Sequence, residues 1–226
     1  MSHAPARPEV RLLQQQVKSL RSGPAQGSTR DRREEGGAYK IAMLGPLQAG
    51  KTKISAQIAG LGFPAKYEPT AGVRILELTE LIQTEHGEIS QPVELWDCSG
   101  DQKYESCWSA ICDKLDGAII AFDPTNKSQA NDVRIWCEWF CKRAKLYDGQ
   151  VVIFAHGELS GNHKPLSVRA GDRTVLVPIV NVSTINLPPA EEDGTQPAGP
   201  AKQEFRNFMG GVHAFITGGG ATQEDY

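Results

Sequence analysis

The residues best suited to chemistry form one run, Gly45-Pro46-Leu47-Gln48-Ala49-Gly50-Lys51-Thr52. It satisfies G-x-x-x-x-G-K-[ST] at every fixed position, a spacing that serves phosphate binding. The glycines let successive backbone N–H groups turn toward an anion, and the helix opening behind them favours negative charge at its N-terminus. Gln48, Ala49, Gly50, Lys51, Thr52 and Lys53 are the candidate phosphate-binding residues. Lys51 would bring a point charge to the β- and γ-phosphates, and the Thr52 hydroxyl is a candidate ligand for Mg²⁺. A second run, Asp97-Cys98-Ser99-Gly100, ends a predicted strand, the position at which ligands bind in open α/β sheets.

Such a loop needs a strand before it and a helix after it. Residues 39–44 are apolar enough for the strand, and residues 53–59 suit the helix. Residues 60–70, with Gly62, Pro64 and Pro69, read as a surface loop. Residues 73–78 and 92–96 read as two strands joined by a turn near His86-Gly87, forming a hairpin. A loop and short helix fill 101–113. Residues 115–122 form a near-continuous apolar run, as expected of a strand buried on both faces. Residues 129–147 carry Val133, Trp136, Cys137, Phe140, Cys141 and Ala144 on one helical stripe. A further buried strand lies at 151–155 and a last one at 174–182, where Pro178 points to an edge or a bulge. The final helix is expected over 203–216, with Gly210-Gly211 as its weak point. Strands alternating with helices make the chain α/β with a largely parallel sheet.

The 226 residues suit one such domain with appendages. Residues 1–38 read as a disordered extension rich in Gly, Pro and charge. Within it, Val10, Leu13, Val17 and Leu20 are spaced for a short helix that would form only against a partner. Residues 39–217 are the folded domain, with flexible insertions near 157–172 and 186–200, and 218–226 are a disordered tail. The net charge of −3 gives no electrostatic case for nucleic acid or an acidic membrane as partner. No apolar run approaches the ~20 residues of a membrane span. The five cysteines include no C-x-x-C pair, so they read as small core residues of a cytosolic protein.

The order and spacing of three motifs, 45–52, Glu68-Pro69-Thr70 and Trp96-Asp97-Cys98-Ser99-Gly100, resemble the Ras-like small GTPase superfamily over roughly residues 39–217. The resemblance implies a P-loop fold with a six-stranded, mostly parallel sheet flanked by about five helices, binding GTP or GDP with Mg²⁺. It makes Thr70 the threonine that closes on Mg²⁺ and the γ-phosphate in the first switch segment. Asp97 would hold the metal through water, and the Gly100 N–H would meet the γ-phosphate in the second switch. From Ile41 through Trp108 the chain is similar, more narrowly, to the Rab-like GTPases of the intraflagellar transport B complex. That likeness implies a monomer docked on coiled-coil subunits of the complex, in the cytoplasm, the cilium or flagellum and its basal body.

Several positions depart from the superfamily pattern. Asp101 stands where the water-orienting glutamine follows the switch glycine, and Gln102 comes one place late. A carboxylate there would repel the γ-phosphate and cannot donate an amide hydrogen bond, unless Gln102 shifts into its place. Leu47, usually a small residue, would crowd the attacking water. Both changes predict very slow hydrolysis, with no confident catalytic residue. The guanine-reading Asn-Lys-x-Asp is replaced by Ala155-His156-Gly157-Glu158. Glu158 could accept from the base and His156 stack beside it, or these residues simply end a strand. Ser183 and Thr184 fall where the superfamily's last base-contacting loop lies. The final residues hold no cysteine, so no prenyl anchor is expected. Three functions follow: a GTP-dependent docking subunit, a cycling GTPase assisted by an arginine from a helper, and an ATPase or nucleotide kinase. The Glu-Pro-Thr and Asp-x-x-Gly placement argues against the third.

Overall fold

A computed structural model of the chain describes residues 37–62, 67–156, 182–185 and 199–218. Six strands form one sheet: β1 (Tyr39–Leu44), β2 (Val73–Thr84), β3 (Gly87–Cys98), β4 (Gly117–Phe122), β5 (Val151–His156) and β6 (Val182–Ile185). Their order is β2-β3-β1-β4-β5-β6. The β2–β3 pair is antiparallel and every other pairing is parallel. Four helices are described: α1 (Lys51–Ile58), α2 (Trp108–Cys112), α3 (Lys127–Trp136) and α4 (Pro200–Thr217). The insertions expected near 157–172 and 186–200 lie outside the described residues, apart from 199–200.

Alternation along β1 sends side chains to two cores. Ile41 and Met43 pack with Ile54 and Ile58 of α1 and with Phe205, Met209 and Val212 of α4. Ala42 and Leu44 face the other way, onto Trp96, Phe122 and the α2–α3 layer. All six residues of β1 and of β4 are buried, as continuous apolar strands covered by helices on both faces should be. Their C-terminal ends converge at the loop 45–50.

The hairpin is twice as long as its apolar alternation suggests. β2 and β3 each run twelve residues, paired without interruption from Val73↔Cys98 to Thr84↔Gly87. The alternation is broken at Glu80, which is 1% exposed. Lys202 Nζ at 2.6 Å and Arg206 Nε at 2.9 Å, both from α4, neutralise it. Pro92 is accommodated because the β1 register begins only at Val93, so β3 has no β1 partner at the proline. Glu80→Gln is expected to lower the unfolding free energy by about 1–3 kcal/mol, since it discharges a buried carboxylate that accepts from Arg206 Nε and pairs with Lys202. Urea unfolding checks this: the midpoint should fall with an unchanged slope, and an unmoved midpoint would show that the ion pairs contribute nothing.

Three other boundaries move. α3 begins at Lys127, where Asn126 Oδ1 accepts from the Ser128 and Gln129 amides. It continues through a π-type turn, Cys137–Cys141, into a last turn at Lys142–Ala144 and stops where Lys145 takes φ 54°. The turn packs Trp136, Trp139 and Phe140 around Trp108, with ring centroids 4.9–5.1 Å from the Trp108 ring. All five cysteines are free and buried. Among the described residues the last strand is Val182–Ile185; of the strand expected over 174–182, residues 174–181 lie outside them. Pro200, read as the end of an insertion, is the first residue of α4, a position where its fixed φ and missing N–H cost nothing. Gly210-Gly211 do not interrupt α4.

Candidate functional site

The loop 45–50 leaves the end of β1 and turns directly into α1. Gly50 takes φ +80°, a conformation L side chains rarely adopt, and a Cβ there would collide with the His156 ring. Gln48 also lies in the left-handed region, at φ 62°. Ala49 is wholly buried, while Leu47 is 44% exposed at the loop tip. Lys51 folds back over the loop: its ammonium donates to the Gly45 carbonyl at 3.0 Å and the Pro46 carbonyl at 2.6 Å. Burial lowers its pKa to about 8. A buried ammonium held among carbonyls, at a helix N-terminus, is a strong attractor for a phosphate.

Three oxygen-bearing side chains from three different segments meet beside it. The Thr52 and Thr70 hydroxyls are 2.9 Å apart. Asp97, at the end of β3, has no exposure at all, and neither of its carboxylate oxygens has a hydrogen-bond partner. Burial raises its pKa. The nearby Thr52 hydroxyl (close, though without hydrogen-bond geometry), Arg74 and Lys51 favour the ionised form. Two hydroxyls and an unsatisfied buried carboxylate are a donor set suited to a hard divalent cation such as Mg²⁺.

Gly100 closes the other side. A Cβ on it would lie 2.5 Å from the Pro46 carbonyl carbon and 2.6 Å from Gly45 O and Leu47 N, so the second switch rests directly on the phosphate loop. Asp101, next in sequence, does not point a free carboxylate into the site. It caps the 3₁₀ turn Gln102–Cys107, accepting from the Lys103 amide at 3.0 Å and pairing with Lys103 Nζ at 3.1 Å. Gln102 is exposed. Lys40 of β1 fixes the segment beyond: its ammonium donates to the Ala110 and Asp113 carbonyls at the end of α2 and lies 3.9 Å from the centre of the Trp96 ring.

His156, the last residue of β5, packs its ring over Gly50. Burial first, then Lys53, lowers its pKa, against the opposing effect of Asp123, so the ring is neutral at pH 7. Lys53 itself is exposed on α1. Glu158 lies outside the described residues. Ser183 and Thr184 do not fall in a loop: both are within β6, paired with Phe154 and Ala155. A loop reading the base would begin after Ile185.

The comparisons with known proteins agree with this geometry. Residues 40–157, just over half of the chain, match the family described as Ras of Complex, Roc, domain of DAPkinase. Over 181 residues the chain is 32% identical to the Intraflagellar transport protein 22 homolog of Danio rerio, covering 79% of this chain and 91% of the fish protein. The chain belongs to the intraflagellar transport protein 22 family of Ras-like GTPase domains. The Homo sapiens member is 35% identical over 127 residues, 56% of this chain and 65% of its own. A crystal structure described as T. brucei IFT22/74/81, GTP-bound, shares the fold at a TM-score of 0.57 and 24% identity, over 80% of this chain and 98% of that one. The expected superfamily, fold class and Rab-like branch therefore hold.

One participant was missed from sequence. Arg74 reaches the Asp97 carboxylate at 3.4 Å. The two are directly opposite in the β2–β3 register. Extending the hairpin pairing from the His86-Gly87 turn would have placed them together, since facing residues of an antiparallel pair are neighbours.

Proposed function

We propose that this chain is a GTP/GDP- and Mg²⁺-binding docking subunit of the intraflagellar transport B complex, with weak intrinsic hydrolysis, rather than a turnover enzyme. The observation that carries the reading is the meeting of Thr52, Thr70 and Asp97, a buried carboxylate with no hydrogen-bond partner and only the Arg74 ion pair beside it. On this reading the end of the phosphate loop, the first switch and the end of β3, just before the second switch, would share a single cation. The nucleotide would be held by Gln48 through Lys53, the metal by Thr52 and Thr70 with Asp97 acting through water, and the γ-phosphate also by the Gly100 N–H. The cation would neutralise charge on the phosphates and tie the switch segments to them. When the γ-phosphate is present both switches are ordered; without it they are released. His156 would stack beside the base, with Glu158 as a further contact.

The partners would be coiled-coil subunits of that complex, a reading supported by the related structure described as T. brucei IFT22/74/81, and the sites of action the cytoplasm, the cilium or flagellum and its basal body. Residues 39–217 act as the nucleotide-binding domain. Leu47 at the loop tip and a glutamine displaced to Gln102 both support slow hydrolysis, as an exposed Gln102 has no fixed hold on an attacking water. Thr52→Asn tests the docking claim. Capture of a recombinant coiled-coil pair should drop at least tenfold relative to the unaltered chain loaded with GTP and Mg²⁺. Equal capture by both would overturn the dependence on nucleotide.

A further inference from the structure

We propose that Gln129 is a positioning residue for the phosphate loop, setting the orientation of the Leu47–Gln48 peptide and hence how tightly a nucleotide is held. This rests on the reading of residues 45–52 as a nucleotide clamp. Asn126 and Gln129 stand at N-cap and N3 of α3, the spacing of a capping box, in which the N3 side chain turns back to the N-cap amide. Here Gln129 is diverted. Its Oε1 accepts from the Asp123 amide at 2.8 Å, and its Nε2 donates to the Leu47 carbonyl at 3.0 Å, 82 residues away in sequence. The residue is 6% exposed, so water cannot replace either bond easily.

The consequence follows from peptide planarity. In a trans peptide the C=O of one residue and the N–H of the next point in opposite directions. Holding the Leu47 carbonyl toward α3 therefore aims the Gln48 N–H away from α3. That is the side on which a loop of this type presents its N–H groups to phosphate. The orientation needs holding, because Gln48 sits at φ 62°, a conformation that a non-glycine residue adopts at a cost. Gly100 presses on the same residue from the other flank, where a Cβ would lie 2.6 Å from Leu47 N. Leu47 is thus gripped between the second switch and α3. Gln129 touches neither nucleotide nor metal and acts only through the loop.

The test uses the full chain loaded with a fluorescent GDP and Mg²⁺, following release against excess unlabelled GDP at pH 8 and pH 5.5. Gln129→Glu keeps the acceptor for Asp123. At pH 8 its carboxylate faces the Leu47 carbonyl and repels it; at pH 5.5 a buried carboxyl regains a proton and can donate. Release from Gln129→Glu should be about tenfold faster than from the unaltered chain at pH 8 and return to within threefold of it at pH 5.5. A merely structural role would leave the ratio alike at both pH values. Gln129→Met, similar in shape and without either bond, should release at least threefold faster at both. Should Gln129→Glu fail to fold, Gln129→Met decides alone. A ratio below threefold for Gln129→Met, or an unchanged Gln129→Glu ratio between the two pH values, overturns the proposal. Failure of the unaltered chain to take up labelled GDP would instead overturn the nucleotide-clamp reading itself.

Discussion

Gly100→Ala should weaken Mg²⁺-GTP binding on the order of 10- to 100-fold and abolish the nucleotide's effect on the second switch. The strain is not conformational, because the Gly100 backbone does not lie in the left-handed region. It is contact. The new methyl would sit 2.5–2.6 Å from three backbone atoms of the phosphate loop, Pro46 C, Gly45 O and Leu47 N. Backbone of a loop held at both ends cannot rotate aside as a side chain can. Either the loop or the switch must move, at the cost of roughly 1–3 kcal/mol typical of overpacking. The loop is pinned by Lys51, Gln129 and the sheet, so the switch yields. Amide exchange across residues 101–107 should slow on GTP addition in the unaltered chain and stay unchanged in the variant. GTP-dependent protection surviving Gly100→Ala would show that the Gly100 contact does not transmit the ligand's presence.

Lys51→Met should act on affinity and stability in opposite directions. Replacing the ammonium removes charge-assisted bonds to phosphate, worth about 1.5–3 kcal/mol each, so a loss of 10²–10⁴ in GTP affinity is expected on the order of two such bonds. The nucleotide-free chain should become no less stable. Burial shifts the Lys51 pKa from 10.5 to about 8, so the folded state disfavours the charge the unfolded state carries freely. At pH 7 that costs folding stability on the order of 3 kcal/mol, partly offset by the bonds to Gly45 and Pro46. The sign follows from linkage: between pH 8 and 10.5 the unfolded chain binds more protons, so stability rises with pH across that window. Thermal melts without nucleotide, paired with GTP titrations, separate the two effects. A variant that loses affinity and stability together would mean that Lys51 is a structural residue first.

The phosphate loop was legible in the sequence because its chemistry needs eight consecutive residues, and local order alone reveals them. Asp97 was legible from its place at the end of a strand, and Thr70 through the superfamily resemblance; the Thr52 and Thr70 hydroxyls lie 2.9 Å apart. What escaped was set by tertiary pairing. Glu80 breaks an apolar alternation, and only Lys202 and Arg206, more than 120 residues on, make its burial in β2 tolerable. Arg74 looked like one more strand residue until the hairpin register set it opposite Asp97. Gln129 was only the first residue of an expected helix, and its bond to Leu47 crosses from helix to loop. The last strand was expected to end at 182, whereas pairing with β5 places a strand at Val182–Ile185. Asp101 was read as an intruder at the phosphate. Its own 3₁₀ turn claims the carboxylate, a local hydrogen bond that motif comparison does not register.

A docking subunit of this kind holds GTP without turning it over at a useful rate. Single-turnover hydrolysis by the purified full chain, preloaded with GTP and Mg²⁺ and with no partner added, tests it most directly. The displaced Gln102, the capped Asp101 and Leu47 at the loop tip predict a rate at least tenfold below the ~3–5 × 10⁻⁴ s⁻¹ of an unassisted Ras GTPase. A rate at or above that value would contradict the account and make this chain a working GTPase.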